Sequence, residues 1–231
     1  MNTSNVALVF AGQNALDESE IRFGVLRIPE VNQYLREAQI LIDQQSNVSI
    51  DLRASLLVDD RDFLAQPKIR SLAVAVVQVA LFNRWSKNQP KPNYLLGHSN
   101  LDSALQVAAG RKNLSELVRE SAFLSGKTPL TQTPVLGGVE LVHYEISILG
   151  RSDSQYVCIR ADEMDALRLF SYMADQLPID EIINIGPGCP LFSNYNKILI
   201  EKKIKISDSI NLDPMLGWFW ESVKPANAIS Q

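Results

Sequence analysis

The pattern of apolar and polar positions divides the chain into short solid apolar runs, longer stretches with helical spacing, and one alternating stretch in the middle. Val6–Phe10, VALVF, is an unbroken apolar run closed by Ala11-Gly12. A half-exposed strand would alternate, so this run predicts a parallel strand covered on both faces. From Val31 to Asp43 the apolar residues fall at Val31, Tyr34, Leu35, Ala38 and Ile42, the three-and-four spacing of one helix face. Gln66 to Ser86, QPKIRSLAVAVVQVALFNRWS, is mostly apolar and is interrupted by Lys68, Arg70 and Gln78. With Pro67 near its start it predicts a buried helix. Asn93 to Leu96 reads as a second short strand. A helix is expected over Leu101 to Ala109, closed by Gly110, and another over Leu114 to Leu124.

The texture changes after Gly126. Thr128 to Pro134, TPLTQTP, is turn-rich. Val139 to Leu149 alternates, with Val142, Tyr144, Ile146 and Ile148 on one face and His143, Glu145 and Ser147 on the other. Gln155 to Ile159 is expected to pair back across a turn at Arg151-Ser152-Asp153-Ser154, giving a hairpin within 128–160. Helical spacing returns from Met164 to Leu177. Ile182 to Ile185 followed by Gly186-Pro187-Gly188 then repeats the opening signature of a strand running into a glycine turn. Lys203 to Ile206 is the last strand expected, and Pro214 to Val223 the last helix. Strand–helix alternation at both ends predicts one α/β domain over residues 1–231, with a mostly parallel sheet, flanking helices and a hairpin in the middle.

Composition narrows the function classes. A chain of 231 residues, 46% hydrophobic, is long enough for one large core. A net charge of −4 argues against nucleic acid as a partner. No uncharged apolar run approaches the roughly 18 residues a membrane span needs. The opening MNTSNVALVFAGQNA carries no basic region of the signal-peptide kind. Cys158 and Cys189 match no metal-ligand spacing and read as buried free thiols of a reducing, cytoplasmic compartment. Neither a metal nor a bound cofactor is expected. Asp162, Glu163, Asp165 and Asp175 lie on a helical stretch and read as a solvated face. Trp218, Phe219 and Trp220 read as core packing of the last helix.

The chemistry concentrates in Leu95 to Gly110, LLGHSNLDSALQVAAG. A strand that turns sharply at Gly97-His98-Ser99 into a helix lifts a serine hydroxyl clear of the strand ends. The backbone N–H of Asn100 then points where an oxyanion develops. The same serine also fits an ordinary helix N-cap, and both readings stand on this stretch alone.

Three motifs taken together say more. VFAGQNA, then LLGHSNLDSALQVAAG, then INIGPGCPLFSNYNK resemble, in that order, the malonyl-CoA:acyl-carrier-protein transacylase family, which includes the acyltransferase domains of polyketide synthases. That family opens V-F-P-G-Q-G, carries G-H-S-x-G-E before a helix ending A-A-G, and closes with E-I-G-P-G. The stretch LAQPKIRSLAVAVVQVALFNRW resembles the helix that precedes its serine turn. The likeness covers about residues 5–125 and 160–222.

The resemblance implies an α/β-hydrolase-like core. Its serine takes an acyl group from a coenzyme A thioester and hands it to the phosphopantetheine thiol of an acyl carrier protein or synthase module. By this resemblance Ser99 is the nucleophile, and Gln13 and Asn100 supply the oxyanion-hole N–H groups. His98, Leu124, Gly186 and Gly188 fall on the substrate pocket.

The pattern is also broken in four places. Leu101 replaces the elbow glycine and Asp102 a glutamate. Leu124 stands where the family has the arginine that pairs with the malonyl carboxylate, and Arg119 reads as a surface residue. The family's histidine motif is missing, and the 128–160 hairpin stands where its ferredoxin-like subdomain lies. His143 is the candidate replacement base; the same histidine on the polar face of a strand also reads as solvent-facing. Two functions therefore remain: an acyl-thioester transferase or hydrolase of fatty-acid or polyketide biosynthesis, or an inactive relative that binds a carrier protein or synthase. Loss of a subdomain bares surface, so a homo- or hetero-oligomeric scaffold is a third. Lys202, Lys203 and Lys205 read either as a solvated cluster or as the contact for an acidic carrier protein.

Overall fold

The computed structural model describes residues 5–10, 16–45, 50–89, 92–97, 103–121, 141–148, 151–159, 178–186, 200–213 and 215–216. The elements below are numbered over these residues. The apolar runs become strands β1 (Val6–Phe10), β2 (Tyr94–Gly97) and β5 (Glu181–Ile185). The alternating stretch becomes β3 (Leu141–Ile148) and β4 (Arg151–Ile159), and β6 (Lys205–Asp208) is the last strand. They form one sheet in the order β3-β4-β2-β1-β5-β6. All neighbours pair in parallel except β3 and β4.

β1 is the central strand because its solid apolar run is covered on both faces, with Ala7, Leu8 and Phe10 fully buried. Its register is set at the N-terminal end by side chains as well as by the ladder. The Val6 N–H donates to Asn93 Oδ1 at 2.9 Å, while the Asn93 N–H donates to the Val6 carbonyl at 2.8 Å. On the other flank the Asn5 N–H donates to Asp180 Oδ2 at 2.7 Å and the Asp180 N–H to the Asn5 carbonyl at 2.9 Å. These reciprocal pairs start β2 and β5 level with β1. A one-residue slip would turn each strand's core residues to the wrong face.

Helices α1 (Ser19–Val25), α2 (Pro29–Gln45), α3 (Leu52–Ser55), α4 (Asp60–Leu64) and α5 (Pro67–Asn88) lie between β1 and β2. α2 buries Val31, Leu35, Ala38 and Ile42 and packs on α5. α5 buries an unbroken run from Leu72 to Leu81, so it is covered all round, as its sequence predicts. Pro67 occupies its first turn, where the missing N–H has no helical acceptor to lose. α6 (Ser103–Ala108) ends at Gly110, whose φ of 68° is the left-handed conformation glycine adopts at little cost. α7 (Leu114–Glu120) starts on a capping box: Asn113 accepts from the Glu116 N–H, and the Glu116 side chain accepts from the Asn113 N–H. α8 (Ser209–Leu212) follows β6.

The expected positions of the hairpin turn and of the last strand need correction. Ile148 pairs with Arg151, so only Leu149 and Gly150 separate the two strands; Arg151 to Ser154, expected as the turn, belong to β4. The register shift between Ile146 and Ile148 accommodates the extra residue. The hairpin joins the main sheet, β4 lying parallel beside β2 with Tyr94 opposite Gln155 and Leu95 opposite Tyr156. The last strand lies two residues later than expected, and α1, α3, α4 and α8 carry too few residues for their spacing to announce them. The helices expected over Met164–Leu177 and Pro214–Val223 fall outside the described residues, apart from Met215 and Leu216.

Candidate active site

The parallel register brings the carboxyl ends of three strands, each followed in sequence by a glycine motif, to one edge. Phe10 pairs with Gly97 on one side and with Ile185 on the other. Neighbouring strands are about 4.8 Å apart, so β2, β1 and β5 end side by side within roughly 10 Å. Ala11-Gly12, His98-Ser99 and Gly186-Pro187-Gly188 are the next residues after those three strands. The chain adds β2 and then β4 on one side of β1 and places β5 and β6 on the other. The strand order thus reverses at β1, and in open α/β sheets the crevice beyond the carboxyl ends at such a reversal is where ligands bind.

At the β5 end, Gly186 has a φ of 142°, and its carbonyl accepts from the Asn184 side chain at 2.9 Å. Asn184 is only 2% exposed. Its amide nitrogen also approaches Asp208 Oδ2 at 3.4 Å, so two acceptors fix which end of the amide is which. The amide oxygen is buried and has no hydrogen-bond partner among the described residues. Val9, Asn184 and Asp208 stand in one row across the strands. Asp208 in turn caps α8 by accepting from the Ile210 N–H at 3.0 Å.

On the β1 side, the segment that follows the first glycine turn is held by two arginines. Arg22, fully buried on α1, donates through Nη1 to the carbonyls of Leu16 (2.9 Å) and Asp17 (2.7 Å). Its Nε donates to the Leu56 carbonyl at 3.1 Å, and Nη2 to the Val58 carbonyl (2.8 Å) and Asp60 Oδ1 (2.9 Å). The guanidinium also lies 4.4 Å from the centre of the Phe63 ring. Arg70, in the first turn of α5, grips the Asp17 carboxylate at 2.6 and 2.8 Å.

Of the residues singled out from sequence, Gly186 lies at this edge. Gln13, His98, Ser99, Asn100, Leu101, Asp102, Leu124 and Gly188 fall outside the described residues, as do Cys189, the acidic group from Asp162 to Asp175, and Trp218 to Trp220. Cys158 lies on β4. His143 is on β3, opposite Val157, one step beyond the Tyr156–Leu95 pair. It therefore stands near the carboxyl end of the sheet but on its edge strand, with β4 between it and β2, about 10 Å from β2 across two strand spacings. Arg119 is exposed on α7, as expected. Lys205 pairs with Glu181 at the opposite end of the sheet, some 13 Å along the strand from the glycine turns, and Lys202 and Lys203 precede it. Asn184, Arg22 and Arg70 were not singled out. A polar residue within the otherwise apolar IINI of β5 is a signal for the first, and Arg70 interrupts the apolar run of its helix in the same way; nothing in the local pattern marks Arg22.

No protein-family model matches the chain, and no curated protein matches it. Solved structures do. An acyl carrier protein S-malonyltransferase from Vibrio cholerae matches with a TM-score of 0.58 at 13% identity, covering 89% of this chain and 96% of that one. MCAT from Streptococcus pneumoniae matches at 0.56 and 16%, covering 94% and 100%. FabD from Acinetobacter baumannii matches at 0.56 and 17%, covering 95% and 99%. The chain has the acyltransferase fold. The family likeness read from the order of three motifs thus holds at the level of architecture, with helices flanking a mostly parallel sheet. Within this acyltransferase fold, no group of His, Cys, Asp and Glu suited to a metal occurs among the described residues. None of the described helices is long and apolar enough to cross a membrane.

Proposed function

We propose that the protein handles acyl thioesters through Ser99, taking an acyl group from coenzyme A and passing it to the phosphopantetheine of an acyl carrier protein or synthase module, in fatty-acid or polyketide biosynthesis in the cytoplasm. The observation that carries this reading is the alignment of three strand ends that each run into a glycine turn, in a fold shared with malonyl transacylases. In it, Gln13 and Asn100 donate backbone N–H groups to the oxyanion. Gly186 and Gly188 line the pocket together with His98 and Leu124. With Leu124 in place of an arginine, burying a malonyl carboxylate costs several kcal/mol, so the preferred acyl group is uncharged. His143 is the candidate base.

A second reading rests on one observation. His143 stands on the edge strand, two strands out from β2, and a base must come within about 3 Å of the serine hydroxyl or reach it through one water. If His143 does not reach Ser99, the protein is an inactive relative that binds a carrier protein or a synthase through the old substrate face, alone or as part of an oligomer. Incubation with acetyl-, malonyl- and longer acyl-CoA followed by intact mass separates the two. The acyltransferase reading expects a single acyl adduct, lost in Ser99→Ala and weaker for malonyl. No adduct with any thioester leaves the binding protein.

A further inference from the structure

The last turns of α5, the short helix α8 and Leu216 line a cavity of about 50 Å³. Leu81, Ile210, Leu212 and Leu216 give it an apolar lining, and Arg84 and Asp213 a charged one. Two further lining residues, Trp85 and Ser209, are each 6% exposed. The indole Nε1 of Trp85 and the Oγ of Ser209 are buried and have no hydrogen-bond partner among the described residues. We infer that this cavity binds the carbonyl end of a small neutral molecule, with Trp85 and Ser209 as donors to its oxygen and the apolar lining around its aliphatic part. The inference does not depend on the acyl-thioester reading above.

The donor set decides what the ligand must offer. An indole nitrogen can only donate, so Trp85 requires an acceptor. A serine hydroxyl also donates, and the two lone pairs of one carbonyl oxygen can accept from both side chains. A buried donor without a partner carries a desolvation cost that a bound acceptor removes, so both side chains gain by turning to the same oxygen. Charge decides against an anion. Arg84 bonds Asp213 and Glu30, which sets two carboxylates against one guanidinium. The cavity also sits at the carboxyl end of α5, where the helix dipole is negative. A carboxylate or phosphate would add to that charge, whereas a ketone or amide oxygen accepts the same bonds without it. Size sets the rest. One water takes about 10–15 Å³ of such space, so the cavity admits roughly three to five non-hydrogen groups. That is a carbonyl with a short aliphatic substituent. Asn88 is exposed and Gln89 half-buried on the lining, so entry is from the end of α5.

The test titrates the isotope-labelled full chain with three probes of one shape: isobutyramide, methyl isopropyl ketone and isobutyrate. The readout is the Trp85 indole N–H resonance, assigned by sequential connectivity. For a ligand of this size a Kd of about 1 mM is expected. The amide and the ketone should move the resonance with saturation, and isobutyrate should bind at least about ten-fold more weakly. Ser209→Ala removes one donor and should weaken the amide about five-fold. Shifts that rise in a straight line for all three probes overturn the inference. So does isobutyrate binding as tightly as the amide, or an unchanged amide Kd in Ser209→Ala. An indole proton that exchanges magnetisation with water and is moved by no probe marks a water-filled cavity and overturns it as well. If Ser209→Ala fails to fold, Leu212→Trp, at a half-buried lining position, decides the same question. Filling the cavity should abolish the saturable shift, and an unchanged Kd there overturns the inference.

Discussion

Arg84 on α5 offers the sharpest test of the fold's electrostatics. Its Nε and Nη2 bond the two oxygens of Asp213 at 2.6 and 3.3 Å, and Nη1 bonds Glu30 at 2.7 Å. The three side chains are 14–19% exposed, so the site is mostly dry. The hydrogen bond to Asp213 raises the Arg84 pKa against the opposing effect of burial, with Glu30 adding to the rise. Burial pushes the Asp213 carboxyl up, and bonds from Arg84 and from the Met215 and Leu216 amides outweigh it, holding the group below the usual carboxylate range.

In Arg84→Met the stem is replaced and the charge lost, which leaves two carboxylates facing each other. Breaking a buried pair from one side costs about 3–5 kcal/mol, and residual solvent contact puts this case near the lower end, about 3 kcal/mol. For a chain of this size that lowers Tm by roughly 6–12 °C. The pH dependence carries the argument. In the wild type the depressed Asp213 pKa stabilises the fold at neutral pH, and that contribution is lost as pH falls through the folded value. In the variant the Arg84 bond and charge are gone, burial is opposed only by the Met215 and Leu216 amides, and the carboxyl moves up, so protonation is less costly than in the wild type. Urea unfolding at pH 7 and pH 4 should show the gap narrowing at the lower pH. Adding Asp213→Asn to Arg84→Met should recover part of the loss at pH 7. A gap below about 1 kcal/mol, or one equal at both pH values, refutes the reasoning.

Two further outcomes follow from local geometry. Gly110→Ala should lose about 1 kcal/mol in urea unfolding from the left-handed backbone alone, because an added Cβ there meets nothing within 4 Å; a loss above about 3 kcal/mol would point to a contact instead. Asn184→Leu should change stability by less than about 1 kcal/mol, since the lost bond to the Gly186 carbonyl and the relieved orphan oxygen offset each other. A fall in Ser99 acylation in that variant then reports on the site, and a large loss of stability would show the offset to be wrong.

Much of the architecture was legible because its signals are periodic. VALVF, the helix around Val31 to Ile42 and the solid apolar run of α5 each declare their environment residue by residue. The parallel alignment of the three strands that run into glycine motifs followed from the order of those motifs. The register was not legible. It depends on Asn93 and Asp180, two polar residues at strand starts whose partners lie 87 and 175 residues away. The hairpin turn was misplaced because Arg151-Ser-Asp-Ser154 has turn composition, and cross-strand pairing overrode that local preference. Arg22 was invisible for a related reason. Its five acceptors are mostly backbone carbonyls, which carry no residue identity into the sequence.

The central place of β1 also shapes how the chain is made. Among the strands of the sheet β1 is made before the others, and its second flank stays open until β5 arrives some 175 residues later. At about 5–20 residues per second that is an interval of roughly 9–35 s. During it, the most apolar of the described strands presents a bare hydrogen-bonding edge, and the nascent chain is most exposed to pairing with the wrong partner.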